Sequence, residues 1–314
     1  MALPRLSHNV RAVVWVLLGT ATFSLVFASG KFAGDLASPL QVVWLRYVGG
    51  VLALACLVAV SRRGPSALAS ARPGSHLLRA ITGCFGGAAI IYASAEMPIV
   101  DASAIGLLHV VFVIPLGMIF LAERVGRTRW LGILLSAVGA AAIMMSRGAF
   151  ESFDLSYLWP ASIALLGALL LAVEGILIRT LSQRDRALTV LLHVNLYGML
   201  LLAIPAFATW RSDDLLSVLP FLLLGPIAIS AQYCNIRGYR LADVSIVGPI
   251  DYTWLLFAAL IGYAVFGEVP TKGVLLGAAL VAAGGIVLAS VKPGSDCRAG
   301  GSRAGELTAP AGKD

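Results

Sequence analysis

The sequence predicts an all-α membrane protein with ten transmembrane helices, arranged as two inverted repeats of five helices. Of its 314 residues, 59% are hydrophobic and 12% are charged, whereas a soluble domain carries about 25% charged residues. Long apolar runs recur, each close to the ~20 residues that a membrane-spanning helix needs. A short acidic motif occurs twice, beginning at Asp101 and again at Asp243, and it divides these runs into two sets.

The apolar runs define the predicted spans and the domain organisation. The spans cover residues 12–30, 40–60, 77–95, 102–122, 130–146, 156–178, 188–209, 215–236, 244–266 and 273–291. The first run follows two arginines, as a signal peptide does, but nine further spans favour an uncleaved signal anchor. The predicted parts are a cytoplasmic N-terminus (1–11), a first repeat (12–146), a linker (147–155), a second repeat (156–291) and a disordered cytoplasmic tail (292–314).

The basic residues predict which side of the membrane each loop faces. Eighteen of the 23 Lys and Arg residues lie in the two termini and in the loops after spans 2, 4, 6 and 8. The loop after span 2 contributes Arg62, Arg63, Arg72 and Arg79 to this count. By the positive-inside rule, both termini are predicted to be cytoplasmic. The net charge of +7 is spread over loops rather than one face, so it does not indicate nucleic-acid binding.

The repeated motif extends over most of each half. Asp-x-Ser occurs at 101–103 and 243–245, and a glutamate follows at Glu123 and at Glu268. In the same alignment Arg46 of span 2 falls against Asn195 of span 7. Because each repeat contains an odd number of spans, the second repeat enters the membrane from the opposite side. Two such units can exchange conformations, which is the design of many secondary transporters with a substrate site near the midplane.

Two further segments carry a resemblance to a known family. Span 2 contains the pair Arg46-Tyr47, and span 9 contains the run Pro249–Thr253, followed by Phe-Gly-Glu-Val-Pro at 266–270. With the ten spans and the repeated motif, these segments resemble the EamA type of the drug/metabolite transporter superfamily, over about Val13 to Ser290. The second segment is similar to a subgroup with bacterial riboflavin, S-adenosylmethionine and opine-metallophore carriers. Family members often have Ser-Pro midway along span 4, where this chain has His109-Val110.

Polar residues inside the spans are the candidates for a substrate site, because a charge at a span centre costs at least about 2.5–3.5 kcal/mol. Arg46 presents a planar set of donors to an anionic or carbonyl-bearing solute, or it pairs with a carboxylate and holds helices together. Asp251 follows a proline that removes a backbone hydrogen bond; its alternative is a salt bridge to Arg46 or Lys31. The predicted substrate-binding residues are Arg46, Asn195, Asp251, Tyr47, Tyr252 and Trp254.

Three other residues are candidates for proton coupling, namely Glu174, His109 and His193. Histidine titrates near neutral pH, and a carboxylate in span 6 is a second type of proton carrier. The alternatives are an ion pair between Glu174 and Arg179, about one helical turn away, and histidines that are simply hydrogen-bonded. The acidic residues of the repeated motif lie near span ends, so we expect them to cap helices or form salt bridges at a gate.

These features predict a secondary transporter of a small organic metabolite in a bacterial inner membrane, working by alternating access. Riboflavin uptake is the specific hypothesis that the resemblance implies. The alternatives are import or export of S-adenosylmethionine, amino acids or an opine metallophore. An intramembrane enzyme would need a catalytic cluster that is not repeated, and a passive channel would lack saturable exchange.

Several classes of site are not predicted by the motifs. The cysteines show no C-x-x-C spacing, and neither H-E-x-x-H nor a nucleotide-binding P-loop occurs. We therefore expect no catalytic residue, metal ion or cofactor. Small-residue stripes in span 5 (Gly132, Ser136) and span 10 (Gly273, Gly277) indicate close helix packing, either in the scaffold or in a homodimer. The expected partners are the solute and the lipid bilayer.

Overall fold

Helices make up the regular structure of the chain. The computed structural model describes residues 7–33, 36–60, 69–151, 154–211, 215–267 and 269–291, which form helices and no strand. The α-helices are α1 His8–Ala33, α2 Pro39–Val60, α3 Pro73–Glu96, α4 Ile99–Gly106, α5 His109–Phe120, α6 Arg127–Ser146, α7 Leu158–Arg184, α8 Ala187–Ala208, α9 Leu215–Val218, α10 Leu224–Leu241, α11 Val244–Val247, α12 Trp254–Phe266 and α13 Lys272–Ser290. Short 3₁₀ segments lie at Leu155–Tyr157, Leu219–Leu223 and Gly248–Thr253. The predicted tail, 292–314, is outside the described residues.

The prediction of ten membrane spans is confirmed. Within the described residues, ten helical stretches are long and apolar enough to cross a membrane, namely His8–Val26, Pro39–Val60, Pro73–Ser94, Val100–Phe120, Arg127–Ser146, Leu155–Arg184, Ala187–Ala208, Leu216–Leu241, Val244–Val265 and Lys272–Ser290. Large apolar side chains such as Leu52, Ile204 and Ile286 point outward, as expected for surfaces in contact with lipid.

Some predicted boundaries differ from the observed ones, and one basic residue is wrongly assigned. Span 3 begins at Pro73 rather than residue 77, because proline has a backbone angle suited to the first turn of a helix. Arg79 lies inside both the predicted and the observed span, and it is 2% exposed. Its assignment to the loop after span 2 is therefore wrong. Span 8 likewise continues to Leu241 rather than ending at residue 236.

The helix contacts have the two-fold symmetry that inverted repeats require. Helix α1 packs on α10, and its counterpart α7 packs on α3. In the same way, α2 packs on α10 as α8 packs on α3, and α5 packs on α7 as α12 packs on α1. The pairs α2–α8 and α6–α13 join equivalent helices of the two repeats. The architecture is thus two interlocked five-span units, related by an axis in the membrane plane.

The small-residue stripes of spans 5 and 10 pack against each other within one chain. A Cβ atom on Gly139 of α6 would lie 2.7 Å from the Gly277 carbonyl oxygen of α13, and one on Gly132 would lie 3.1 Å from the Gly284 carbonyl oxygen. Only glycine permits so close a backbone approach. These stripes therefore serve the contact between the repeats, and the homodimer stays a prediction.

Spans 4 and 9 are both interrupted at equivalent positions. Between α4 and α5 the backbone makes tighter bonds, from the N–H of Leu108 to the Ile105 carbonyl (3.0 Å) and from that of Val110 to the Leu107 carbonyl (3.2 Å). Span 9 changes to a 3₁₀ segment at Gly248–Thr253, with Pro249 at its start. Both interruptions lie six residues or so after the repeated aspartate, so the symmetry brings them to the same depth.

We expect Gly139→Ala to destabilise the protein, because the added methyl group would overlap the backbone of α13. Overpacking of this kind costs about 1–3 kcal/mol. Gly87→Ala is the matched control, since a Cβ atom on Gly87 meets nothing within 4 Å. Melting temperatures of the detergent-purified variants would measure the difference. Equal melting temperatures would contradict the close backbone contact.

Candidate functional site

The two interrupted spans bring an acid and a base together. The Nε2 atom of His109 lies 3.8 Å from Oδ2 of Asp251, and the two side chains are 23% and 25% exposed. The Nδ1 atom of His109 is 3.0 Å from the Gly106 carbonyl oxygen. Because a carbonyl only accepts, Nδ1 carries the hydrogen and Nε2 is the atom that faces Asp251. Each residue lies eight positions after the repeated aspartate, so the pair joins equivalent sites of the two repeats.

Close packing holds this crossing in place. A Cβ atom on Gly248 of span 9 would lie 3.0 Å from Val113 of span 4, so the two spans touch directly beside the pair. Tyr239, on the last turn of α10, interacts electrostatically with Asp251. Span 8 thereby supplies a second polar contact to the carboxylate.

A second polar group lies next to the first and centres on Glu174 of α7. Oε1 of Glu174 is 3.7 Å from Nε of Arg79, and its carboxylate occupies the space beside Gly83, where a Cβ atom would be only 2.8 Å away. Across this space, the guanidinium carbon of Arg46 lies 4.1 Å from the centre of the Tyr47 ring. The Tyr47 hydroxyl is 3.8 Å from the thiol of Cys84, which donates to it.

The two groups form one central polar site. Glu174 interacts electrostatically with Arg79 and Arg46, and also with His109 and Asp251. The site thus unites the predicted residues Arg46, Tyr47, Glu174, His109 and Asp251, and it adds Arg79, Cys84 and Tyr239, which sequence reasoning missed. The expected pairing of Glu174 with Arg179 is wrong, because α3 offers Arg79 to Glu174 while Arg179 binds Asp243.

The other predicted residues lie in different surroundings. Asn195 is 1% exposed; its amide donates to the Leu191 carbonyl (2.8 Å), and its oxygen lies over the Cα atom of Gly50. This contact joins α8 to α2 and has the character of a weak C–H···O hydrogen bond. Tyr252 is 4% exposed and, with Trp254, packs into an apolar cluster that includes Ile143.

His193 belongs to a separate histidine cluster near the end of α7. Its ring stacks on His76 at 4.5 Å between centres, and its Nδ1 atom donates to the Thr189 carbonyl. Nε2 of His76 lies 2.7 Å from Oδ2 of Asp185. The ring contacts of His193 are thus with His76 and Tyr197 rather than with Glu174 or Asp251.

Residues from both copies of the acidic motif form a network of ion pairs and hydrogen bonds between the repeats, which we call the end network. It consists of Glu123, Arg129, Arg179, Asp243 and Ser245. Glu123 accepts hydrogen bonds from the N–H groups of Val244 (2.7 Å) and Ser245 (3.0 Å), which confirms the predicted capping role. Arg129 donates to Asp243 (2.8 Å) and to the Ser245 hydroxyl (3.0 Å).

The end network is linked to the central polar site through Tyr239. Arg179 donates to Asp243 at 3.2 Å and also to the backbone carbonyl of Tyr239, and Tyr239 interacts electrostatically with Asp251. Of the two remaining acidic residues of the motif, Asp101 accepts from the N–H of Phe150 (2.7 Å), and Glu268 lies outside the described residues.

Within its described residues, the chain has ten apolar spans in two symmetry-related repeats, and two interrupted helices cross at a polar site. This combination is typical of a membrane transporter for a small solute. The chain belongs to the EamA-like transporter family, whose model matches residues 10–145 and 158–290. It is therefore a transporter rather than an enzyme, and a multi-pass protein of the bacterial inner membrane.

Curated relatives and a solved structure agree with this assignment. The chain is 30% identical to a riboflavin transporter of Rhizobium johnstonii over 286 residues, 88% of this chain and 89% of the relative. It is 28% identical to the pseudopaline exporter CntI of Pseudomonas aeruginosa over 295 residues, 90% and 97% of the two chains. A solved protein structure matches with a TM-score of 0.72 at 17% identity, over 90% of this chain and 96% of that one; this likeness concerns the fold alone.

We expect Asp243→Asn to destabilise the protein, because it removes the carboxylate that pairs with two largely buried guanidinium groups. Removing one partner of a buried ion pair costs up to about 3–5 kcal/mol, and Asp243 is one-third exposed, so a loss nearer about 2 kcal/mol is expected. Glu151→Gln, at an exposed carboxylate, is the control. An Asp243→Asn protein as thermostable as the control would show that the network contributes nothing.

Proposed function

We propose that the protein takes up riboflavin across the cytoplasmic membrane by alternating access, and that proton binding at the central polar site drives the uptake. The single observation that carries the mechanism is the His109–Asp251 pair at the crossing of two interrupted spans. Interrupted helices at the repeat interface are where many transporters bind substrates and coupling ions.

The geometry of the pair supports a role for protons. With its hydrogen on Nδ1, a neutral His109 presents a lone pair to Asp251, and an ionised Asp251 presents another. A single proton placed between Nε2 and Oδ2 would turn this contact between two acceptors into an attractive one. Moving spans 4 and 9 apart would separate Nε2 from Oδ2, so the pair would release that proton. Glu174 is the second candidate carrier, and His193 is a third, at a distance from the pair.

The substrate preference rests on similarity and on the donors available. The Rhizobium johnstonii relative is named as a riboflavin transporter, and riboflavin has a planar ring system with carbonyl oxygens along one edge. Arg46 and Tyr47, already in contact with each other, offer guanidinium donors for those oxygens and a ring for stacking. We also propose solute contacts with Asn195, Tyr252 and Trp254. Because these side chains are wholly or partly buried, they could reach the solute only after helix movement.

The end network supports alternating access between the repeats. Glu123 and Arg129 come from the first repeat, and Arg179 and Asp243 come from the second, so opening that end of the bundle requires these pairs to break. We propose that this end faces the cytoplasm, as the distribution of basic residues predicts. The arrangement described here then corresponds to the state closed toward the cytoplasm.

Uptake of labelled riboflavin by a riboflavin auxotroph tests the substrate. We expect saturable uptake above that of empty-vector cells, with competition by flavin analogues. Uptake equal to the empty vector would refute riboflavin import. Counterflow in proteoliposomes with riboflavin, S-adenosylmethionine, amino acids and an opine metallophore would then identify the solute, because counterflow does not depend on the direction of transport in the cell.

Asp251→Asn and His109→Gln test the coupling step. We expect both variants to lose solute accumulation driven by a proton gradient, because each variant leaves a single titratable group at the crossing, without the partner that would hold the added proton. Counterflow, which needs no net proton movement, is expected to continue at a reduced rate. Glu96→Gln, at an exposed residue near the end of span 3, is the control. Undiminished proton-driven accumulation in both variants would contradict the proposed role of the pair.

A further inference from the structure

Arg79 is an unusual residue for the interior of a membrane bundle. It is 2% exposed, and its Nε and Nη1 atoms are buried without a hydrogen-bond partner. A buried donor without an acceptor costs about 1–3 kcal/mol, and more when the group is charged. The position therefore suits a residue whose acceptor arrives from outside the chain.

Glu174 supplies a carboxylate beside Arg79, but it does not satisfy the hydrogen-bond donors of the guanidinium group. Glu174 is 3.7 Å from Nε, which is within range of an ion pair but too long for a hydrogen bond. The same carboxylate lies in the space beside Gly83, one turn further along α3. A side chain at that position would remove the space, so glycine leaves room for an oxygen-bearing group between α3 and α7.

A second guanidinium faces the same carboxylate. Arg46 of α2 interacts electrostatically with Glu174, as Arg79 does, and the described residues show for it a ring contact with Tyr47. The two arginines share this carboxylate, and Asp251, the other carboxylate of the central polar site, lies against His109. A single bound oxyanion would supply the acceptors that Arg79 lacks.

We propose that Arg79 and Arg46 form a subsite for one oxyanion group, a carboxylate or a phosphate, which binds by displacing Glu174 from Arg79. This subsite goes beyond the proposed function, since it does not depend on riboflavin being the solute. The oxyanion is either a group on the transported solute or a separate inorganic anion.

Displacement of Glu174 links anion binding to protonation. In the structure, the Glu174 carboxylate interacts electrostatically with Asp251 and His109 as well as with the two arginines. An oxyanion that takes Arg79 would leave this partly buried carboxylate without its nearest counter-charge, and a carboxylate without a counter-charge is neutralised by taking up a proton. Anion binding and proton uptake by Glu174 therefore strengthen each other by the same factor, as linkage requires.

Anion binding to purified protein in nanodiscs tests the subsite. The readout is the rise in melting temperature with added acetate or inorganic phosphate, relative to chloride at equal ionic strength. We expect saturable stabilisation of the wild type that is lost in Arg79→Gln and Arg46→Gln. Glu174→Gln removes the competing carboxylate, so it is expected to bind the anion about tenfold more tightly, or about 1.4 kcal/mol. Arg237→Gln, at an arginine stacked on Trp15 and Tyr233, is the control.

The proposal has clear contrary outcomes. Equal anion stabilisation in the wild type and Arg79→Gln would overturn it, as would an absence of anion binding in both the wild type and Glu174→Gln. If Arg79→Gln does not fold, the Glu174→Gln variant tests the subsite by itself. Anion binding to Glu174→Gln that is unchanged or weaker than in the wild type would also overturn the subsite.

The same variants separate the two sources of the oxyanion and keep the proposals apart. Competition of phosphate by riboflavin 5′-phosphate but not by riboflavin would place the oxyanion on the solute, whereas competition by neither would indicate a separate anion. Riboflavin uptake that fails while Arg79-dependent anion binding persists refutes only the proposed substrate. The reverse result refutes only the subsite.

Discussion

Backbone hydrogen bonding inside the bilayer is the constraint on which the rest of the structure depends. A lipid-exposed span must be a continuous helix, because hydrocarbon offers no partner for a loose N–H or carbonyl group. Spans 4 and 9 depart from this rule, and both do so in the interior of the bundle, where the Gly106 carbonyl, released by the break, accepts a hydrogen bond from His109. The interruption is tolerated because it lies between helices, and it aims polar side chains at the bundle centre.

The repeats are equivalent in backbone but not in chemistry. His109 and Asp251 occupy matching positions beside the two-fold axis, and matching positions next to such an axis must face each other. Two aspartates there would repel, and two histidines would gain little from each other. An acid facing a base gives an asymmetric pair that one proton could join, and this is the arrangement that the proposed proton coupling uses. The likeness of the two backbones suits the proposed alternating access, and the two different side chains set this position apart from a fully symmetric crossing.

Much of this could be predicted from the sequence, because it depends on local patterns. The ten spans follow from length and apolar composition, and the inversion follows from an odd number of spans in each repeat. Arg46, Glu174, His109 and Asp251 could be recognised because a polar residue in an apolar run is conspicuous. Arg79 was missed because it lies at the start of the predicted span and follows a basic loop, so it was counted with that loop; the packing of α3 shows that it is buried. The partners themselves could not be predicted, since Glu174 has Arg179 near it in sequence but Arg79 near it in space.

Tyr239 lies between the centre and the end of the bundle. It interacts electrostatically with Asp251 of the central polar site, while its backbone carbonyl accepts from Arg179 in the end network. Arg179 in turn holds Asp243, which Arg129 of the first repeat also holds. Tyr239 is 5% exposed, and a side chain packed in a dense core has little room to move independently of its helix. In the proposed mechanism, a change at Asp251 would therefore be passed to the last turn of α10, which carries one of the acceptors that keep Arg179 in place. Solute binding at the centre and loosening of the end network would then be coupled, as alternating access requires.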